Sequence, residues 1–224
     1  GRVRAVHPRV HGTAPDGTPY RADDPHLLTW VSVALTSSFL AGHRRWAPDV
    51  LTPDEEDAFV AEQSRIGALL DPRVDLRPLR DDPSVREAFR TGALDGELPL
   101  LTERRLPSSA AQLDEVMAAF APELGVNHQG REALSFLDGP PIPRIARPGY
   151  RVLFRGAVAS LDAVLRHALD LDATAPRAER DAARAGAALT AMRVATGSSP
   201  SIRAAWARAN ARPEGDRAAT AGRR

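Results

Sequence analysis

Residues 25–46, PHLLTWVSVALTSSFLAGHRRW, decide the fold. Leu27, Leu28, Trp30, Val31, Val33, Ala34, Leu35, Phe39 and Leu40 cover nearly every face of a helix wound at 3.6 residues per turn. A helix that is apolar all round belongs in the middle of a bundle. Asp23 or Asp24 offers a carboxylate to the free N–H groups of its first turn, and Pro25 suits its first helical position. The apolar stretch 27–42 carries Thr and Ser and falls short of the roughly 20 residues that a membrane span needs. A core helix is therefore expected, and no transmembrane segment.

Helical signals continue on both sides. Upstream, Val3, Val6 and Val10 form an apolar stripe over residues 2–11, with Gly12 as the stop. GTAPDGTPYRADDP is a turn-rich link. Downstream, Thr52-Pro53-Asp54-Glu55-Glu56 combines a cap, a proline and acids at the positive end of the helix dipole. That helix runs to about Leu70. Residues 71–106 read as loops around a short helix from Ser84 to Arg90. Further helices are expected from Ser108 to Phe120, Asn127 to Leu137, Tyr150 to Leu169 and Pro176 to about Ala195, with a short Arg-rich one over 202–209. No stretch alternates as a strand set does. The class is all-α: one helical domain of about six to eight helices over residues 1–209, followed by a disordered tail, 210–224.

Composition excludes several chemistries. All thirty basic residues are Arg, and Cys is absent. Schiff-base lysines, thiolate ligands, iron–sulfur clusters, disulfides and cysteine nucleophiles drop out. Net charge is +1, so no overall field draws nucleic acid. The Ala- and Arg-rich usage suggests a bacterial genome of high GC content. The first residues are charged and no apolar signal core follows, so a cytoplasmic location is expected. Gly1 already lies inside a helical pattern, and the domain is expected to be N-terminally incomplete. No phosphate loop, nucleophile elbow or H-E-x-x-H motif is present.

Of six histidines, His26, His43, His128 and His167 sit at helix starts or late in helices, where capping and dipole roles suffice. His7 lies at the edge of the valine stripe. On a regular helix Arg4, His7 and His11 share one flank. A hydrogen-bonded structural imidazole, a lone ligand, or a two-histidine metal pair with His11 all fit that placement.

The order and spacing of Arg4, His7, Val10 and Gly12, then Asp16, Gly17, Tyr20, Ala22, Asp24 and Pro25, then Leu27, Leu28, Trp30 and Val31 resemble a known signature. It is that of the oxygenase family containing latex-clearing protein (rubber oxygenase) and the fungal mycophenolate-pathway oxygenase MpaB. The resemblance implies an all-helical fold, globin-reminiscent in the wider family. It implies haem b as cofactor, with His7 as the iron ligand and Arg4 as a contact to a haem propionate or to the imidazole. The implied function is a haem-dependent oxygenase or oxidoreductase acting with dioxygen on an apolar or secondary-metabolite substrate.

There are departures. The family's distal lysine lies upstream of the histidine helix, and this chain has no lysine. The histidine of the family's W-V-H is Ser32, and the usual arginine after the valine is His11. Pro8 removes a backbone donor beside His7. These departures support an alternative: a non-catalytic or truncated helical binding protein derived from the family.

Overall fold

The computed structural model describes residues 2–14, 17–171 and 173–197, together with Arg203. The expected helix over 202–209 and the tail 210–224 lie outside the described residues, apart from Arg203. Within them the domain is all-α, with eleven helices and one small hairpin.

The first helix is shorter than its valine stripe suggests. α1 (Arg2–Val6) passes into a single 3-10 turn at His7–Arg9, with Pro8 in that turn. Val10 then extends the chain. A proline inside the turn withholds an N–H and forbids a regular continuation. The chain becomes β1 (His11–Thr13), which pairs antiparallel with β2 (Pro19–Arg21) in the register His11↔Arg21, Gly12↔Tyr20, Thr13↔Pro19. Gly12, expected as a helix stop, is a strand residue. Gly17 supplies the positive φ of the intervening turn.

α2 (Pro25–Trp46) begins as expected: Asp24 caps it by accepting from the N–H groups of His26 and Leu27, and Pro25 opens it. Its buried face is formed by Leu28, Thr29, Ser32, Val33, Thr36 and Leu40. The hydroxyls among them cost little. Thr29 donates to the Pro25 carbonyl and Thr36 to that of Ser32, each at 2.8 Å. The helix is not covered all round, however. Val31, Leu35 and Phe39, four residues apart, form an exposed stripe.

α3 (Pro53–Ala68) carries the complete capping box of Thr52 and Glu55 and packs on α2. Residues 71–106 hold more helix than their loop-like composition suggests: α4 (Arg77–Asp81), α5 (Pro83–Thr91) and α6 (Pro99–Thr102). Each has a proline at its first or second position, and Asp82 caps α5. α7 (Ala110–Phe120) is capped by Ser109 rather than Ser108, and α8 (His128–Asp138) by Asn127. The single helix expected over 150–169 is two, α9 (Arg147–Ser160) and α10 (Ala163–Ala168), because the Asp162 side chain caps a new start. α11 (Ala175–Thr196) packs along α9. There Gly156 and Ala185 meet so closely that a Cβ on Gly156 would stand 2.2 Å from that of Ala185. Trp46, at the end of α2, wedges beside the crossing and donates from Nε1 to the Ala182 carbonyl at 3.4 Å.

The main core joins α2, α3, α6 and α7 through Leu28, Val33, Leu40, Val60, Leu100, Leu113 and Phe120. Among the described residues, no helix is long and apolar enough to cross a membrane.

Candidate functional site

His7 is held at the point where α1 stops. Its ring is half-buried, and its Nδ1 is buried without a hydrogen-bond partner in the polypeptide. Such an atom costs about 1–3 kcal/mol when nothing satisfies it. A structural histidine ordinarily avoids that cost by bonding to a nearby carbonyl or carboxylate. The donor chemistry thus fits a group that is not part of the chain.

The flank expected to unite Arg4, His7 and His11 is broken. The α-helix ends at Val6, and His11 projects from β1 as an exposed residue. The two imidazoles therefore do not share a helical face, and the two-histidine metal pair loses its geometry. Among the described residues, no group of three or more metal-binding side chains converges.

The motif residues that follow build the mount for this turn. Val10 accepts from the Ala22 N–H at 2.9 Å, which ties the turn to the far end of the hairpin. Tyr20 lies across Gly12: a Cβ there would sit 3.0 Å from the phenol oxygen and 3.2 Å from ring carbons. Arg21 grips Asp23 with two bonds of 3.0 Å. Those bonds, chiefly, hold the Asp23 carboxyl below its usual range; the field of Arg21 and a smaller one from His7 add to them. Asp24 then starts α2. Motif order in the sequence becomes physical order along a helix, turn, hairpin and helix.

Arg4 anchors α1 from the other side. Its guanidinium donates to the carbonyl of Pro72 at 2.9 Å and to that of Leu69 at 3.5 Å, beyond the end of α3. It also lines a cavity of about 780 Å³ with Leu69, Leu76 and Leu79 as apolar wall and a rim of Asp75, Arg77, Arg80 and Arg86, in which Asp75 pairs with Arg77 and Asp81 with Arg80. His7 does not line this cavity, so Arg4 and His7 neighbour one another in the chain without facing one common space.

Sequence reasoning missed Asp71. It is fully buried in the turn after α3. Arg73 binds it by backbone and side chain at 2.7–3.1 Å, and reaches on to Glu103 at 2.5 Å. Burial pushes the Asp71 carboxyl up, and the Arg73 bonds outweigh it, so the group sits below its usual range. The D-P-R spacing is the only signal for it in the sequence.

The fold is an all-α domain in which a short helix, the His7 turn and a hairpin precede the central helix α2. Residues 1–194 match the family model described as ER-bound oxygenase mpaB/B'/Rubber oxygenase, catalytic domain, and the chain belongs to that family. No curated protein and no solved structure matches it.

Proposed function

We propose that this chain is a haem-b-dependent oxygenase domain, with His7 as the iron ligand and an apolar or secondary-metabolite small molecule as substrate. The observation that carries the reading is the buried, unpartnered Nδ1 of His7, within the residues that the family model matches. Histidine is the strongest iron ligand this lysine- and cysteine-free chain offers. When bound, the haem supplies the dioxygen chemistry.

The chain's residues have mechanical and electrostatic roles. Pro8 and the 3-10 turn fix the direction of the imidazole. The Val10–Ala22 bond and the Tyr20–Gly12 contact hold that turn on the hairpin. Arg4 pins α1 to the carbonyls after α3 and so fixes the start of the turn that carries His7; a contact from Arg4 to a haem propionate would need it to leave those carbonyls. In this reading the oxygenase-like domain comprises residues 1–209.

The test is a visible spectrum of the purified protein titrated with haem. One equivalent gives a sharp Soret band, which His7→Ala shifts or abolishes. Free-haem spectra for both proteins overturn the proposal. The alternative of a non-catalytic binding protein draws on the exposed Val31, Leu35 and Phe39 stripe. It gains if the protein binds no haem.

A further inference from the structure

A second cavity, of about 540 Å³, runs along the opposite part of α2 and is closed by α7, α9 and α10. Trp30, Leu40, Trp46, Leu113, Met117 and Leu165 give it its apolar wall. Neither Arg4 nor His7 lines it. Its volume lies within the roughly 300–1,000 Å³ usual for ligand sites.

The polar groups on its lining are largely committed to the protein itself. Ser38 donates to the Ala34 carbonyl and Ser160 to that of Ala157. The Trp46 indole donates to Ala182. Arg44 is held by both carboxylate oxygens of Glu56, at 2.7 and 2.5 Å. Asp162 accepts from the Leu165 N–H at the start of α10. Ser37, Asp114 and the Trp30 indole are the remaining polar side chains on the lining, and Asp114 lies in the field of Arg44. A ligand rich in hydrogen-bonding groups would find few partners here and would lose those it has in water.

The cavity is also long. Its lining on α2 extends from Trp30 to Trp46, about 24 Å at the rise of a helix. Gly42 stands on this lining, and a Cβ built there meets nothing within 4 Å. Room for a ligand therefore extends to the helix backbone.

We propose that this cavity is a binding site for one extended aliphatic chain, separate from the His7 site and independent of haem. Its apolar wall gains affinity from chain length, and its neutralised Arg44 gives an acid head group no advantage over an alcohol.

The experiment is calorimetric titration of the intact, haem-free protein with octanol, decanol, dodecanol and dodecanoate, below their aggregation limits. Binding of one chain per protein is expected, tightening about fourfold for each methylene buried. Dodecanoate binds no tighter than dodecanol. Gly42→Ala weakens binding slightly and Gly42→Leu by tenfold or more, with unchanged circular dichroism. His7→Ala leaves it unchanged, so failure of the haem reading leaves this result standing. Affinity independent of chain length, or equal in Gly42→Leu and wild type, overturns the proposal. If Gly42→Leu fails to fold, quenching of Trp30 and Trp46 by 12-bromododecanol replaces it. Quenching that Trp30→Phe with Trp46→Phe leaves unchanged then refutes the site.

Discussion

Ser32 and Gly67 close the contact between α2 and α3. A Cβ on Gly67 would lie 2.2 Å from the Ser32 hydroxyl and 2.9 Å from its Cβ. Rotating the serine relieves the first clash but not the second, so the helices themselves must part. Both residues are buried. Ser32 therefore faces helix packing with no room for a larger side chain.

Gly67→Ala is therefore expected to destabilise the protein by about 1–3 kcal/mol, the usual cost of overpacking. Ser32→Gly combined with Gly67→Ala recovers most of that loss, while Ser32→Ala recovers less because its Cβ remains. Ser32→His costs at least as much as Gly67→Ala. Urea unfolding of the four variants gives the coupling. Additive losses in the double variant would mean that the two helices do not meet at these residues.

The fold was legible where local chemistry and packing agree. Asp24-Pro25, Thr52-Pro53 and Asn127 start helices in the structure as their side chains predict. It was illegible where a short-range competitor wins. The valine stripe continues through Val10, but Pro8 ends the α-helix before it. The apolar run of 150–169 is broken by the cap of Asp162. The turn-rich segment 71–106 hid three short helices, each with a proline at its first or second position. For the site, the motif located His7, while the fate of Arg4 depended on carbonyls 65 or more residues away, a relationship that no spacing rule carries.

His7 offers a test that separates a ligand from a structural histidine. No hydrogen bond to its Nδ1 is lost on substitution. His7→Leu should leave the melting temperature of the haem-free protein unchanged or raise it. Excess haem should then stabilise the wild type and not the variant, since only the folded protein with His7 binds it. A loss above about 1 kcal/mol in the haem-free variant would mark His7 as a structural residue, that being the usual worth of one hydrogen bond.

The Tyr20 ring across Gly12 makes a second coupled pair. Gly12→Val drives a branched side chain into the phenol and should cost about 1–3 kcal/mol. Tyr20→Ala removes the obstacle, so the double variant should lie well above the sum of the two losses. Because the hairpin carries the His7 turn, Gly12→Val should also broaden any Soret band, and the double variant should sharpen it again. Thermal melts and haem spectra of the same three proteins check both.

Asp71 and Arg73 set an acid-side limit on stability. The carboxyl is buried, yet Arg73 holds its folded pKa below the unfolded value. A depressed pKa contributes stability that is fully present above the unfolded pKa and lost as pH falls through the folded one. In Arg73→Leu the side-chain bonds and the charge are lost, while the backbone N–H of residue 73 and the field of Arg4 still act downward against burial. The folded pKa then rises from its wild-type position, so the variant lacks much of the stability that the wild type shows above the unfolded pKa, and the difference between the two shrinks as pH falls. At pH 7 the expected cost is about 1–3 kcal/mol, that of hydrogen bonds to a charged group, with Arg73 itself half-exposed. Arg73→Lys restores the charge but not the forked geometry and should recover part of it. Chemical unfolding between pH 3 and 7 distinguishes the outcomes: if the difference between wild type and Arg73→Leu does not shrink on acidification, the buried carboxylate is held by something other than Arg73.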